Sequence, residues 1–430
     1  MEIYLVQQGD TIESIAEKFG ISVAKLIQLN ELENRSNLVP GETIVIVYPS
    51  QTYIVQIGDS LESIASSHNI TINELLRNNP FLVSMNYIYP GEELVISYLR
   101  IKNIQTHGYA NAFINEQIFR KTLPYLTYLT ILNYRTTQNG NIITFGDDRR
   151  MIELAKEYGV VPLMLMTTLS IQGDADLELT YDVLIDEEMQ NRLFDNVMVI
   201  IKEKGYMGVN ISAQFITSSN QTYFYNYVRN LSTRLRQEGY EAIISVNPRI
   251  EHNNQGEVIF DPIKYSQFNN EVDSILFLQY KWGISSGPPT PVSSIYDLSI
   301  FLEYAITQVP PENIFVGLQI LGYDWELPFA TGYSSANLIS IADVMVLAES
   351  VGTKIEFDER SQTPYFRYEG ENNSQHIVWF INAQTVDSLI TMIQEKGIVG
   401  TGIWNIMKYF AQLWLVVNSQ YKIVKLLPEF

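Results

Sequence analysis

Polar and apolar residues alternate along a short segment near the middle of the chain. The alternating residues are, in order, Val209, Asn210, Ile211, Ser212, Ala213 and Gln214. A period of two predicts a β-strand with one apolar face and one polar face. Buried polar side chains are costly unless they are hydrogen-bonded. The polar face therefore indicates the inside of a barrel or cleft, and the alternative is a strand end whose polar residues reach solvent.

The first hundred residues contain an internal repeat. The run from Tyr4 to Ala16 matches the run from Tyr53 to Ala65, and each copy continues to an Asn and then to a Pro-Gly pair. Each copy predicts the order strand, helix, helix, strand. Asp-Thr or Asp-Ser supplies capping oxygens for the first helix, Ser22 or Thr71 caps the second, and Pro-Gly turns into the last strand. The predicted modules span residues 1–48 and 51–98.

Beyond a junction at 98–103, strand patterns alternate with helix patterns, as in a parallel sheet. The strand candidates are 104–108, 128–134, 161–167, 208–213, 242–246, 274–279, 314–319 and 400–404. The helix candidates are 148–158, 187–204, 221–239, 296–308 and 340–351. This order predicts an α/β domain at 103–430, a (β/α)8 TIM barrel. Short extended runs at about 353–384 break the alternation and predict a small α+β insertion between strands seven and eight.

Composition and charge restrict the classes of function. A length of 430 residues predicts two or three domains. The formal net charge of −20 argues against nucleic acid and anionic membrane surfaces as partners. The chain has no Cys, and its four His residues do not stand at metal-ligand spacings. We therefore predict no metal and no cofactor.

The N-terminal sequence shows neither a signal peptide nor an anchor. It begins Met-Glu-Ile-Tyr-Leu, without a basic segment followed by an apolar one. No run approaches the ~18 apolar residues of a membrane helix. We predict synthesis in a cytoplasm without a secretion signal.

The repeats resemble LysM modules, which bind glycans containing N-acetylglucosamine, such as peptidoglycan and chitin. The likeness rests on Gly-Asp-(Thr/Ser)-(Ile/Leu) followed by Asn and Pro-Gly. It implies a shallow groove between two loops in each module. The implied glycan-binding residues are Gly9, Asp10, Thr11, Ile12 and Asn30, and Gly58, Asp59, Ser60, Leu61 and Asn79. The alternative is that these residues only cap and turn the chain.

The remainder resembles family 18 glycoside hydrolases, and most of all their spore cortex branch of N-acetylglucosaminidases with LysM modules. The family's fourth strand reads Asp-x-x-(Asp/Asn)-x-Asp-x-Glu, and those positions hold Met207, Asn210, Ser212 and Gln214. Runs at 278–289, 322–328 and 402–404 resemble other family segments. The resemblance implies substrate-assisted hydrolysis. In that reaction a Glu protonates the leaving oxygen, an Asp orients the acetamide, a Tyr bonds the acetamide oxygen and a Trp floors the pocket.

The catalytic set implied by the resemblance is incomplete. Tyr280 and Trp404 match the family, and Asn210 lies within its variation. Gln214 and Ser212 replace the two acids, and Lys281 places a cation where the family usually has an acid. Asp324 and Glu326 are alternative acids, but their simpler interpretation is as exposed loop charges.

The sequence therefore favours a peptidoglycan-binding protein of the spore coat or cortex surface, made in the mother cell, with an inactive hydrolase-like barrel. Two alternatives remain open. One is an active N-acetylglucosaminidase that degrades cortex fragments during germination with an unrecognised acid. The other is a self-assembling structural spore protein, and self-association is compatible with each interpretation.

Overall fold

The structure, a computed structural model, describes residues 1–32, 35, 37–84, 87–170, 176–278, 287–370 and 373–429. The first two modules each contain two strands and two helices. Their elements are β1 (Glu2–Leu5), α1 (Ile12–Phe19), α2 (Val23–Asn30) and β2 (Thr43–Ile46), then β3 (Gln51–Ile54), α3 (Leu61–Ser67), α4 (Ile72–Asn78) and β4 (Glu93–Ser97). The strands pair antiparallel within each module. The predicted order of elements is confirmed.

The remaining strands follow in chain order. They are β5 (Lys102–Asn111), β6 (Tyr128–Leu132), β7 (Tyr134–Thr136), β8 (Ile142–Thr144), β9 (Val161–Met166), β10 (Gly208–Ala213), β11 (Glu241–Val246), β12 (Ile250–His252), β13 (Val258–Phe260), β14 (Ser274–Phe277), β15 (Ile314–Gln319), β16 (Leu321–Leu327), β17 (Asn337–Ser340), β18 (Glu356–Asp358), β19 (Thr363–Glu369), β20 (Gln375–Trp379), β21 (Gly400–Trp404) and β22 (Tyr421–Ile423). The helices are α5 (Glu116–Thr122), α6 (Arg149–Glu157), α7 (Leu177–Ile185), α8 (Glu187–Lys204), α9 (Gln221–Gln237), α10 (Ile295–Gln308), α11 (Ile341–Ser350), α12 (Ala383–Glu395) and α13 (Ala411–Gln420).

Eight parallel strands close into a barrel, as predicted. They follow the order β5, β6, β9, β10, β11, β14, β15 and β21, and β21 pairs back onto β5. Val209, Ile211 and Ala213 of β10 are fully buried and belong to the large apolar core of the domain. A separate cluster that includes Leu163, Ile243 and Phe315 packs in the barrel interior. The apolar residues of the barrel strands therefore belong to two separate cores.

The inserted sheet includes strands outside the predicted range of about 353–384. The insertion begins directly after strand seven and forms a five-stranded antiparallel sheet in the order β17, β16, β20, β19 and β18. The segment at 322–328, whose acids Asp324 and Glu326 were expected to be exposed loop charges, is mostly strand β16. Large apolar residues alternate with acids along 323–327, and the run pairs with β17 and β20.

The loop between α2 and β2 fixes the first module to the insertion. Arg35 bonds both Glu42 of its own module and Glu349 of α11, each at 3.0 Å. The Pro40 carbonyl accepts a hydrogen bond of 2.9 Å from the Ile355 amide. These contacts hold the module in one position against the barrel domain.

The second module is fixed by two arginines, of which Arg77 is buried and Arg100 is partly buried. Arg77 donates to the Pro124 carbonyl at 2.9 Å. Arg100 donates to the Asn418 carbonyl at 2.9 Å and forms an ion pair with Glu74 at 2.5 Å. Both modules are thus integral parts of one packed molecule.

Candidate functional site

Asn210 of β10 lies at the centre of a buried hydrogen-bond network inside the barrel. Its side chain has no exposed area. Its amide nitrogen donates to the Tyr109 hydroxyl at 2.7 Å and to Thr130 Oγ1 at 3.1 Å. Its carbonyl oxygen accepts from Ser245 Oγ at 2.6 Å, and Tyr109 and Ser245 are 2.7 Å apart. Both polar atoms of the Asn210 side chain therefore have partners on other strands of the barrel, namely β5, β6 and β11.

His107 extends this network as a neutral group. Its Nε2 is 2.6 Å from Thr130 Oγ1, and its ring stacks on Tyr109 with centroids 5.0 Å apart. Burial lowers the pKa of His107 from 6.5 to about 3, because the interior disfavours the charged imidazolium. Burial also raises the pKa of Tyr109. None of the side chains bonded to Asn210 is therefore ionised near neutral pH.

Gln214 and Trp404 lie near the carboxyl ends of their strands, where barrel sites form. Each is 9% exposed. The Trp404 ring lies 5.3 Å from that of Tyr109, so this side chain contacts the network. The side-chain oxygen of Gln214 is buried and has no hydrogen-bond partner among the described residues. Ser212, which is partly exposed, stands in register with Ser245.

Two residues of the expected catalytic set lie outside the described residues. They are Tyr280, the expected partner of the acetamide, and Lys281, the expected opposing cation. What the described strands bring together is Asn210, Tyr109 and Trp404. Gln214, at the position expected for the acid, directly follows strand β10, which carries the motif positions Asn210 and Ser212.

The alternative acids are not on the barrel side of the insertion. Tyr323 accepts a hydrogen bond of 2.7 Å from Gln319 of strand seven, and Trp325 donates to the Gly287 carbonyl at 3.0 Å. Because alternate residues of a strand face opposite sides, Asp324 and Glu326 face away from these barrel contacts. Neither acid is placed to protonate a sugar in the barrel mouth.

Asp324 has a structural role on the face of the inserted sheet that also carries the buried Val378 and Phe366. It accepts from the Tyr368 hydroxyl at 2.8 Å and lies 3.0 Å from His376 Nδ1. Ser374 Oγ is 3.1 Å from His376 Nε2. A Cβ added to Gly370 would lie 2.9 Å from both Ser374 Oγ and His376 Nε2. The backbone at Gly370 therefore packs directly against these two side chains. Asp324 is therefore a buried bonding group and not the exposed loop charge that was expected.

The LysM-like loops place their residues as caps and turns. Thr11 and Ser60 cap α1 and α3 through capping boxes with Ser14 and Ser63. Gly9 and Gly58 have φ values of 91° and 95°, a region that favours glycine. Ile12 and Leu61 follow the caps and are partly exposed. Thr11 and Ser60 are exposed at the rim of the expected groove.

Asp10 and Asp59 are not helix caps, which corrects part of the sequence interpretation. Asp10 Oδ2 accepts from the Tyr4 hydroxyl and from the Gln7 amide, both at 2.7 Å. Asp59 makes the same two contacts with Tyr53 and Gln56, at 2.9 and 2.7 Å. Each carboxylate closes the turn between the first strand and the first helix.

Asn30 and Asn79 lie inside their modules and not at a groove. The Asn79 amide donates to Leu75 O at 2.9 Å and Val95 O at 2.7 Å, and its oxygen accepts from Val95 N at 2.8 Å. Asn30 bonds Leu26 and Val45 in the same way. A direct bond from either amide to a glycan would require one of these bonds to break. We therefore assign both a structural role.

Sequence reasoning missed three members of the buried network, namely His107, Thr130 and Ser245. Thr130 and Ser245 are each a lone polar residue within an apolar strand segment, whereas His107 follows two other polar residues in β5. Thr130 stands between Leu129 and Ile131, for example. Since a buried polar group needs a hydrogen-bond partner, polar residues at inward positions of several strands are expected to bond to one another.

The described part of the chain contains no cluster of potential metal ligands and no helix long and apolar enough to cross a membrane. Comparison with known proteins shows two kinds of domain. Residues 104–408 match the model for glycosyl hydrolases family 18, and residues 4–47 and 53–97 match the LysM domain model. The chain is 31% identical to the cortical fragment-lytic enzyme of Bacillus subtilis strain 168, over 99% of both chains.

Solved structures show the same similarity. The spore cortex-lytic enzyme SleL of Bacillus cereus matches with a TM-score of 0.79 and 27% identity, covering 99% of this chain and 98% of SleL. SleL of Bacillus megaterium QM B1551 matches with a TM-score of 0.78 and 26% identity, covering 98% of each chain. The chain therefore belongs to glycoside hydrolase family 18 and carries two LysM domains before its barrel.

Proposed function

We propose that this protein binds an N-acetylglucosamine-containing glycan of the spore cortex without cleaving it. The observation that carries the proposal is the absence of both acids at the family's catalytic positions. Gln214 and Ser212 stand there, and Asn210 beside them is held in a neutral network. A glutamine amide does not release a proton near neutral pH, so the leaving oxygen has no general acid at position 214.

The two LysM domains supply the binding. Their first loops present Thr11 and Ser60 at exposed positions, whereas the amides of Asn30 and Asn79 are used inside each domain. Two binding modules fixed in one molecule raise the effective concentration of each for the same polymer. The likeness over the full chain to relatives that act on cortex supports the cortex as the source of the glycan.

An active N-acetylglucosaminidase is the second candidate. Similarity to named lytic enzymes over 99% of both chains favours it. This candidate requires an acid other than position 214, and the barrel-facing side of β16 offers neither Asp324 nor Glu326. Such an enzyme would still be expected to use Tyr280 to bond the acetamide oxygen of the substrate.

Turnover and binding separate the two candidates. We expect the full chain to sediment with purified peptidoglycan and to release no N-acetylglucosamine from cortical fragments. Release of N-acetylglucosamine that coelutes with the protein in chromatography and disappears in Tyr280→Phe would support the enzyme instead.

A pair of loop variants tests the binding site. Thr11→Lys with Ser60→Lys adds bulk at both rims and should reduce sedimentation at least tenfold. Ser14→Ala with Ser63→Ala breaks the same capping boxes without adding bulk and is the matched control. Equal retention of both double variants would contradict the assignment to the first loops.

A further inference from the structure

A groove lies between the first LysM domain and the barrel. It consists of two adjoining cavities, of about 360 and about 170 Å³, that share Glu31, Ile341, Ala342, Tyr409 and Phe410 in their walls. The larger is within the range of ~300–1,000 Å³ that is typical of small-molecule sites. It is separate from Thr11 and Ser60, and neither cavity includes a residue of the buried barrel network.

The walls of the groove come from several parts of the chain. Glu31 belongs to the first LysM domain, and Val83 of the second also lines the larger cavity. Ile118 and Lys121 lie on α5, which follows strand one, and Tyr409 lies in the loop after strand eight. Strands one and eight are those that carry Tyr109 and Trp404, so the groove lies at the same edge of the barrel mouth.

These walls are held in place before any ligand binds. Arg35, Glu42 and Glu349 form a bonded cluster at one side. Thr43 Oγ1 and Gln412 Oε1 lie 2.7 Å apart, where the module meets α13. Lys121 bonds Glu31 across the domain boundary. A preformed groove spares a ligand the entropy of ordering two domains.

The lining combines aromatic faces with polar groups. The Lys121 ammonium lies 4.2 Å from the centroid of the Tyr409 ring, and Phe410 follows in sequence. Gln117, Ser340 and Asp343 add amide, hydroxyl and carboxylate groups to the larger cavity. Aromatic faces that cover apolar sugar surfaces, beside groups that bond hydroxyl and acetamide groups, are suited to a neutral saccharide.

We infer that this groove is a second binding site for an N-acetylglucosamine oligosaccharide, built jointly by the first LysM domain and the barrel. The inference rests on the proposed function, since it concerns the same class of glycan. It gives a physical reason for the rigid docking of the first LysM domain: the domain supplies one wall of the site. A glycan bound here lies beside the barrel mouth and not on the outer rims of the LysM loops.

The test uses Ala342, an exposed residue in the first turn of α11 that lines both cavities. Ala342→Trp should fill the groove and weaken the binding of chitotetraose at least threefold in calorimetric titration. Ala24→Trp is the matched control, because Ala24 is also exposed, second in a helix that a serine caps, and outside the lining. It should bind chitotetraose as the unmodified chain does.

The chain has no Cys, so a single cysteine can report on the groove directly. A fluorophore on Ala342→Cys should show a saturable change with chitotetraose, and one on Ala24→Cys should not. Normal binding by Ala342→Trp together with an unresponsive label at 342 would overturn the groove and leave the proposed function standing. Loss of all binding to chitotetraose and to peptidoglycan by the unmodified chain would overturn both.

Discussion

Restoring the general acid alone should not restore hydrolysis. In Gln214→Glu the new carboxyl group stands at the family's acid position, directly after β10. The residue there is 9% exposed, so burial should raise the pKa of the introduced Glu and keep it protonated for donation. The variant therefore supplies the proton, and what remains missing is the charge that orients and stabilises the acetamide.

The size of the remaining defect follows from Ser212. Ser212 supplies no carboxylate to pair with the positive charge that develops on the acetamide, and the neighbouring Asn210 network is neutral. One missing electrostatic partner in a transition state typically costs about 2–4 kcal/mol, or roughly a hundredfold to a thousandfold in rate. Gln214→Glu should thus stay at least about a hundredfold below the double variant with Ser212→Asp.

The assay is turnover of chitotriose by a graded set of variants. The double variant should exceed the combined gains of its single variants, because two catalytic carboxylates act as one unit. Addition of Lys281→Glu should raise turnover again. Gln214→Glu with Ser212→Asn is the matched control, since it changes the same two positions without adding the second carboxylate. Full activity in Gln214→Glu alone would refute the reasoning about Ser212 and Lys281.

Two further predictions concern stability. Asn79→Ala and Asn30→Ala each remove three buried hydrogen bonds. Each substitution should lower the free energy of unfolding, measured by urea titration, by about 2–5 kcal/mol. A loss below about 1 kcal/mol in both variants would show that these amides are not structural. His107 has a pKa of about 3 in the folded protein, and its ordinary value is 6.5. As the pH falls, His107 therefore becomes protonated in the unfolded protein before it does so in the folded protein. The contribution of His107 to the free energy of unfolding should therefore be fully present above pH 6.5. It should decline between pH 6.5 and pH 3 by up to about 1.4 kcal/mol per pH unit. The variant His107→Gln should show a shallower decline in the free energy of unfolding over the same range.

Local interactions explain why much of the fold is predictable from the sequence. Capping residues such as Thr11 and Thr71 act over three or four positions, and the alternation in β10 extends over six. The predicted bounds of β10, β15 and β21 agree with the structure to the residue. The family motifs likewise identify positions 210, 212 and 214 without any knowledge of tertiary contacts.

Some assignments failed because the same local pattern serves two structures. The acids of β16 alternate with aromatic residues, and only pairing with β20 shows that this run is a strand of the insertion. Asp10 stands where a capping residue is expected, yet the hydroxyl of Tyr4 and the amide of Gln7 bind it instead. Asn30 and Asn79 resemble groove residues until the strand that each amide bonds is known.

The sequence by itself determined the repeat, the barrel and the absence of acidic residues at positions 212 and 214, because residue identity and short-range periodicity carry that information. Only the tertiary structure decided which polar groups meet. His107, Thr130, Asn210 and Ser245 come from four strands, and barrel closure and register bring them together. The groove at Tyr409 likewise depends on how a LysM domain docks through Arg35 and Glu349, residues that are distant in the chain. Contacts of this kind have no local signature, since they depend on the packing of whole elements and not on neighbouring residues.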